Sequence, residues 1–305
     1  TSLGSVGASS AFYAADLSGT TDFKSQCSAQ ARTMVSTNAL KIFLINLDAT
    51  PHRLSFMQTQ FERLQLDVER VPAVIGRSVP EWLEEEFKDA TLMSDGEVGC
   101  YASHLLVAHR IVAEGLPYAV VLEDDATLQD DFSIICGRAI QAAPAGWDFI
   151  QVCSLFKRSV VEVASLGKHS LIQYTRDPSG AVAYILSNAG ARKWLRPMPR
   201  VRPNDIDNRY SWVQGLNIYG VYPSIVTHND SFQSVAEHRN GRNFYPHPLA
   251  GLTSMRWKVQ TIGPAAYFNG LAMSCWNSLR KRVDGKLRVH VVRNGKGEAA
   301  PVELP

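Results

Sequence analysis

Several features that define protein classes are scarce or absent in this sequence. Its five cysteines are scattered, odd in number and without CxxC spacing, which argues against a disulfide framework or a zinc knuckle and favours a reducing compartment. No apolar run reaches the roughly 18 residues of a membrane-spanning helix. The first residues also lack the basic-then-apolar order of a secretory signal, so a cytoplasmic location is expected.

Charge of one sign is not in excess either. Lys and Arg number 31 against 29 Asp and Glu, so the net charge of +2 does not favour nucleic acid, and no such partner is expected. Hydrophobic residues at 45% and charged residues at 20% are typical of a globular protein, and 305 residues suffice for a large core.

Composition divides the chain into three parts. Residues 1–39 are rich in Ser, Thr, Ala and Gly, which predicts a flexible N-terminal leader with one candidate helix over 26–35. Regular patterns begin at residue 40 and change near 240. We therefore predict a domain over 40–240 and a C-terminal extension over 241–305.

The middle part alternates strand and helix patterns. Thr50 before Pro51 predicts a helix start with the threonine as cap, Ser94 and Glu97 have capping-box spacing, and Asn188 is predicted to cap a later helix. Strands are predicted over 41–47, 67–74, 118–122, 147–153, 180–187, 216–221 and 225–227, and shorter helices over 81–88 and 209–214. This alternation predicts an α/β fold with a mostly parallel sheet flanked by helices.

Three consecutive acids, Glu123, Asp124 and Asp125, follow the predicted strand over 118–122. Ligands of open parallel sheets lie outside the carboxyl ends of the strands, so these acids are expected at a site. Adjacent carboxylates repel one another, and a hard divalent cation bridging them to a diphosphate would relieve that repulsion. The alternative is a solvated loop in which Asp125 caps a turn.

Separate motifs around these acids resemble glycosyltransferase family 25 in order and spacing, over about residues 40–240. The motifs are INL (45–47) with Arg53, GEVGC (96–100) with Ser103 and His104, LPYAVVLEDD (116–125), DPSGAVAYILS (177–187) with Gly190 and Ala191, and YPSIV (222–226) leading to Ser234.

The resemblance implies a GT-A-like, Rossmann-related fold with a C-terminal helical extension. It also implies transfer of a hexose, galactose above all, from a UDP-sugar to a glycan such as lipooligosaccharide, by an inverting and metal-dependent reaction. The expected location is the bacterial cytoplasm, at the inner face of the cytoplasmic membrane. The expected cofactor is Mn²⁺, with Mg²⁺ as the alternative, held by Glu123, Asp124, Asp125 and His228.

Donor-binding residues are expected in the same motifs: Asn46, Arg53, Ser103, His104, Asp124 and Gly180. Alternatives remain for some of them. Arg53 could be a helix-surface charge, His104 a hydrogen-bonded core histidine, and Gly180 a packing glycine.

An inverting transfer needs a base for the acceptor hydroxyl, and Asp205 and Asp207 are the candidates. The alternative for both is helix capping. Two other functions stay open: a metal-dependent phosphohydrolase or nucleotidyltransferase using the same acids, and a nucleotide-sugar or glycan binding protein without turnover.

The C-terminal extension combines an aromatic and apolar segment over 257–279 with basic residues over 280–288. This pattern is typical of an interfacial helix on anionic lipid, which would serve a lipid-linked acceptor. The alternative is a helix packed on the catalytic domain.

Overall fold

The computed structural model describes residues 40–153, 160–232, 250–284, 288–293 and 299–303. The leader over 1–39, with its candidate helix, lies outside these ranges. The helices are α1 (Pro51–Leu64), α2 (Glu81–Phe87), α3 (Asp95–Ala113), α4 (Phe132–Ala142), α5 (Asn188–Trp194), α6 (Asn204–Asp207), α7 (Ser211–Gln214), α8 (Ala250–Ile262) and α9 (Pro264–Asp284), with a 3-10 turn at Asn208–Tyr210. The strands are β1 (Ile42–Asn46), β2 (Val68–Pro72), β3 (Tyr118–Glu123), β4 (Ala126–Leu128), β5 (Phe149–Gln151), β6 (Val160–Ser165), β7 (Ser170–Tyr174), β8 (Ala183–Ser187), β9 (Ile218–Tyr222), β10 (Val226–His228), β11 (Arg288–Arg293) and β12 (Ala299–Glu303).

A ten-stranded sheet forms the centre, in the order β12-β11-β6-β7-β9-β5-β8-β3-β1-β2. β1 pairs in parallel with both β2 and β3, β5 with β9, and β6 with β11, while the other neighbours are antiparallel. The predicted α/β class is confirmed, as a mixed, Rossmann-like sheet flanked by helices. β4 and β10 form a separate two-stranded sheet.

The first strand shows why the sheet needs helices on both faces. All five residues of β1 are buried. Phe43 and Ile45 belong to one hydrophobic core, and the alternating Ile42 and Leu44 belong to the other. Side chains alternate across a strand, so a continuous apolar run must be covered twice.

The helix α3 packs closely on the segment after β2. Its capping box is confirmed, because the Ser94 hydroxyl accepts from the Glu97 amide and the Glu97 carboxylate accepts from the Ser94 amide. A Cβ added at Gly99 would lie 2.5 Å from the carbonyl oxygen of Val74. Glycine therefore permits the close approach of α3.

The predicted helix start at Thr50 and Pro51 is confirmed, but two predicted side-chain caps are wrong. Thr50 holds the N-cap position of α1, but its hydroxyl makes no cap hydrogen bond and instead contacts Asp124 at 3.1 Å. Ser187, rather than Asn188, caps α5 by accepting from the Gly190 amide. The side-chain amide of Asn188 instead donates to the carbonyl oxygens of Ile111 and Leu116, so this residue has a structural role other than capping.

The hairpin of β6 and β7 was not predicted, nor were β4 and α4. The extension contains two helices that break at Gly263 and Pro264. Lys258 of α8 is buried and forms an ion pair with the buried Asp177 at 2.5 Å, which anchors α8 to the domain. Within the part of the chain that the structure describes, no helix is long and apolar enough to cross a membrane.

Candidate active site

The carboxyl ends of β1 and β3 border a cavity of about 520 Å³. Its volume falls within the roughly 300–1,000 Å³ range of small-molecule sites. Ten of the predicted site residues line it: Asn46, Arg53, Ser103, His104, Glu123, Asp124, Asp125, Gly180, Asp205 and His228. The three consecutive acids therefore share one cavity with Asp205, and the solvated-loop alternative does not hold.

Asp124 is fully engaged by neighbouring side chains. Its Oδ2 accepts from the Asn46 amide at 2.7 Å and from the Thr50 hydroxyl at 3.1 Å. Its Oδ1 accepts from Arg53 at 2.7 Å in an ion pair that is buried on both sides. Arg53 is thus a buried partner of the acids, not a helix-surface charge.

Asp125 lies between Arg53 and His228. β4 and β10 pair so that His228 stands opposite Ala126, which brings the imidazole Nε2 within 3.2 Å of Asp125 Oδ2. Arg53 is 3.7 Å from the same oxygen. The other oxygen, Oδ1, is buried and has no hydrogen-bond partner among the described residues.

The electrostatics of Asp125 match this geometry. Burial, and after it the negative charge of Glu123, raises the pKa of the carboxyl from its ordinary 3.8 to about 6. Burial opposes the charged form of His228, but its hydrogen bond to Asp230 and the charge of Asp125 outweigh that effect and raise its pKa. A buried carboxylate with an oxygen lacking a donor has an environment that a cation would improve.

Glu123 belongs to a different group of side chains. Its Oε1 is 3.0 Å from Nε2 of the fully buried His104, whose Nδ1 is 2.8 Å from the Tyr184 hydroxyl. Cys100 stands one turn before His104 on α3. The ligand atoms of Cys100, His104 and Glu123 all lie within 4.8 Å of one another, a group with the chemistry of a metal site.

Cys100 also lines the cavity. Burial, followed by the charges of Glu123 and Asp205, raises the pKa of its thiol well above the ordinary value. The thiol is therefore protonated at neutral pH and is a poor nucleophile.

Ser103 and Gly180 shape the cavity wall. The Ser103 hydroxyl accepts from the Val74 amide at 2.8 Å and donates to the Gly99 carbonyl oxygen at 2.7 Å, so it fixes the segment that α3 packs against. Gly180 has a φ of +117°, and a Cβ added there would meet none of the described residues within 4 Å. Backbone conformation, rather than crowding, thus explains this glycine.

Of the two candidate bases, Asp205 lines the cavity and Asp207 does not. Both belong to α6, whose N-cap is Pro203. Asp207 also holds the N-cap position of the 3-10 turn that follows, but its side chain makes no cap hydrogen bond there. Asp207 is buried, accepts from the Tyr101 hydroxyl at 2.9 Å and pairs with Arg202 at 2.6 Å.

A buried network that the sequence did not reveal holds α6 in place. Arg200 is fully buried and donates to the Tyr101 hydroxyl at 2.7 Å and to Glu86 at 2.8 Å. Tyr101 in turn donates to Asp207. The chain Glu86, Arg200, Tyr101, Asp207 therefore ties α2 and α3 to the helix that carries Asp205.

Comparison with known proteins identifies the class to which this fold and site belong. Residues 39–207 match the family model described as glycosyltransferase family 25 (LPS biosynthesis protein). The match covers more than half of the chain, so the protein belongs to glycosyltransferase family 25. The resemblance seen in the motifs is confirmed.

Curated relatives in animals include members described as inactive. The chain is 27% identical over 217 residues to "Inactive glycosyltransferase 25 family member 3" of Mus musculus, covering 61% of this chain and 36% of the relative. It is 28% identical over 182 residues to "Glycosyltransferase 25 family member" of Aedes aegypti, covering 54% and 29%. A Bos taurus "Probable inactive glycosyltransferase 25 family member 3" is 30% identical over 185 residues, covering 54% and 30%. The chain thus spans about a third of the length of these relatives.

Proposed function

We propose that the protein transfers a hexose, galactose in the first place, from a UDP-sugar to a glycan acceptor, with inversion and with a divalent cation. The observation that carries the proposal is the buried Oδ1 of Asp125, which has no hydrogen-bond partner among the described residues and lies in a cavity shared with Asp205. Family membership supports the transferase class, and this geometry supports a metal and a base within one pocket.

The residues of the cavity fit a divalent cation, but the three consecutive acids do not all suit the role of metal ligand. Asp124 has both oxygens engaged by Arg53 and the side chains of β1 and its loop, which suits a positioning residue better than a ligand. Asp125 and His228 lie side by side at the cavity and would hold the metal, with Glu123 as the third candidate. Carboxylate ligands suit Mn²⁺ and Mg²⁺, and an imidazole ligand favours a transition metal such as Mn²⁺ over Mg²⁺. The bound cation would neutralise negative charge on the departing diphosphate.

The nucleotide is proposed to lie where β1 and the segment after β2 meet. Ile45, Val74 and Ile75 line this side of the cavity and offer apolar contacts for a base. Arg53, which contacts both Asp124 and Asp125, would act on the donor by fixing these acids in place.

Asp205 is proposed as the base. The acceptor hydroxyl oxygen would form a bond to the anomeric carbon, on the face opposite the diphosphate, while the bond from that carbon to the diphosphate oxygen breaks. The hydroxyl proton would pass to Asp205, and the donor would leave as nucleoside diphosphate. Asp207, held by Tyr101 and Arg202, would position Asp205 rather than take the proton.

For the acceptor we favour a glycan carried by a lipid, such as lipooligosaccharide, which would place the reaction at the inner face of a bacterial cytoplasmic membrane. The family model's description as an LPS biosynthesis protein supports this choice.

A screen of nucleotide sugars with Mn²⁺, read by donor hydrolysis and by thermal stabilisation, tests the proposal. Asp205→Asn should retain donor and metal binding and lower kcat by about 10²–10⁴-fold, the usual contribution of a general base. Asp207→Asn is the matched comparison, since it should cost stability through Tyr101 and Arg202 first. If Asp205→Asn turns over normally, the base assignment is wrong.

A second function has support from the relatives described as inactive. The protein would then bind a nucleotide sugar without transferring it. UDP-galactose binding that Mn²⁺ strengthens, without transfer to any glycan, would favour this alternative.

A further inference from the structure

The helix α9 has an unusual distribution of apolar side chains. The side that packs on the domain carries Tyr267, Gly270 and Ser274, which are buried. A Cβ added at Gly270 would lie 2.3 Å from the side chain of Thr175, so this glycine allows the inner face to approach the domain closely. In an ordinary surface helix the large apolar residues face the core.

The outer side of α9 also carries large apolar residues. Phe268 is 53% exposed and Leu279 is 56% exposed, while the intervening Ala272 and Cys275 are also exposed. Positions 268, 272, 275 and 279 follow the four- and three-residue steps of one helical stripe. Leu252 on α8 is a further exposed apolar residue, at 62%. The inner face of α9 and Lys258 of α8 pack on the domain. The described residues nevertheless leave the stripe uncovered.

The charge along α8 and α9 is mostly of one sign. Asp284, the last residue of α9, is the only Asp or Glu in the two helices, although the whole chain has nearly equal numbers of acids and bases. Arg256 is exposed on α8, and the last turns of α9 contain the run Arg280, Lys281 and Arg282. An apolar stripe next to basic residues is the pattern of a helix lying in the interface of an anionic bilayer.

We propose that α9, with the start of α8, is the surface by which the protein binds an anionic lipid membrane. The apolar stripe would enter the boundary between headgroups and acyl chains, and the basic run would contact the negatively charged headgroups. A second protein copy is a poorer occupant, because a twofold contact would pair this mostly basic surface with itself. The inference stands apart from sugar transfer, since lipid binding needs neither donor nor metal.

Flotation of the whole chain with phosphatidylcholine vesicles, with and without phosphatidylglycerol, tests the proposal. Binding is expected for the vesicles with phosphatidylglycerol and should weaken as salt is raised, because the Debye length shortens. Phe268→Ser and Leu279→Ser should each weaken binding about tenfold, from the lost apolar burial. Replacing Arg280, Lys281 and Arg282 by Gln should remove most of the salt dependence.

Ile134→Ser is the matched control, since Ile134 of α4 is 59% exposed but lies outside the stripe. Its vesicle binding should equal that of the wild type. Both stripe variants replace exposed side chains, and unchanged thermal unfolding will show that they are folded. The proposal is overturned if the wild type binds no vesicles or if the control loses binding as the stripe variants do. It is equally overturned if the stripe variants convert a dimer to a monomer without changing lipid binding, because α9 is then a subunit interface.

Discussion

Replacing Asp125 by Asn should stabilise the metal-free protein at neutral pH. The Asp125 pKa is raised from 3.8 to about 6, so the folded chain holds the carboxyl proton more tightly than the unfolded chain does. The stability gained from protonation is complete below pH 3.8 and is lost as the pH rises through about 6. At pH 7.5 the ionised carboxylate is thus disfavoured by up to ~3 kcal/mol.

An uncharged Asn avoids this cost. With a chelator present at pH 7.5, Asp125→Asn should unfold up to about 6–12 °C above the wild type, given ~2–4 °C per kcal/mol for a domain of this size. At pH 4.5 the difference should shrink, because the wild-type carboxyl is then largely protonated. Mn²⁺ should reverse the order at pH 7.5 by stabilising the wild type alone.

Differential scanning fluorimetry at both pH values, with chelator or Mn²⁺, measures these effects. Asp130→Asn is the control, since Asp130 is exposed and pairs only at the surface with Arg63, so a change within ~0.5 kcal/mol is expected. The reasoning fails if Asp125→Asn is less stable than the wild type in chelator at pH 7.5, or if Mn²⁺ stabilises both proteins equally.

Two further predictions concern the scaffold of the site and are measured by urea unfolding. Arg53→Met should destabilise the protein by about 3–5 kcal/mol, because it leaves buried carboxylates without their cation, whereas Arg63→Met at the exposed pair should cost less than ~0.5 kcal/mol. Equal costs would contradict the buried role of Arg53. Gly99→Ala should cost about 2–3 kcal/mol through its contact with the Val74 carbonyl, while Gly137→Ala on α4, where a Cβ meets nothing, should stabilise by up to ~1 kcal/mol. A neutral Gly99→Ala would show that α3 can move away from this segment.

Elements with strong local signals could be predicted from the sequence. The apolar run of β1 and the capping box at Ser94 and Glu97 each depend on residues close in the chain, and both were found. The hairpin of β6 and β7 was missed because it lacks a continuous apolar run. At the cap before α5, Ser187 and Asn188 are adjacent residues that can both cap, and only the tertiary contacts of Asn188 decide between them.

The residues of the site could be predicted from the motifs, but the different roles of its acids could not. Asp124 meets Arg53 across 71 positions of sequence, and Glu123 meets His104 across 19. Such pairings depend on how β1, β3 and α3 are arranged, which local patterns do not encode. The same holds for Asp207, whose partner Tyr101 is 106 positions away.

Product analysis of the transfer reaction tests the central claim most directly. Purified protein would be incubated with UDP-galactose, Mn²⁺ and a lipooligosaccharide acceptor, with and without chelator, and the acceptor examined by mass spectrometry. We predict a new glycosidic product that contains one added hexose, that requires the metal and that Asp125→Asn does not form. Transfer that persists in chelator and in Asp125→Asn would contradict the account, as would release of free sugar and nucleotide without transfer to any acceptor.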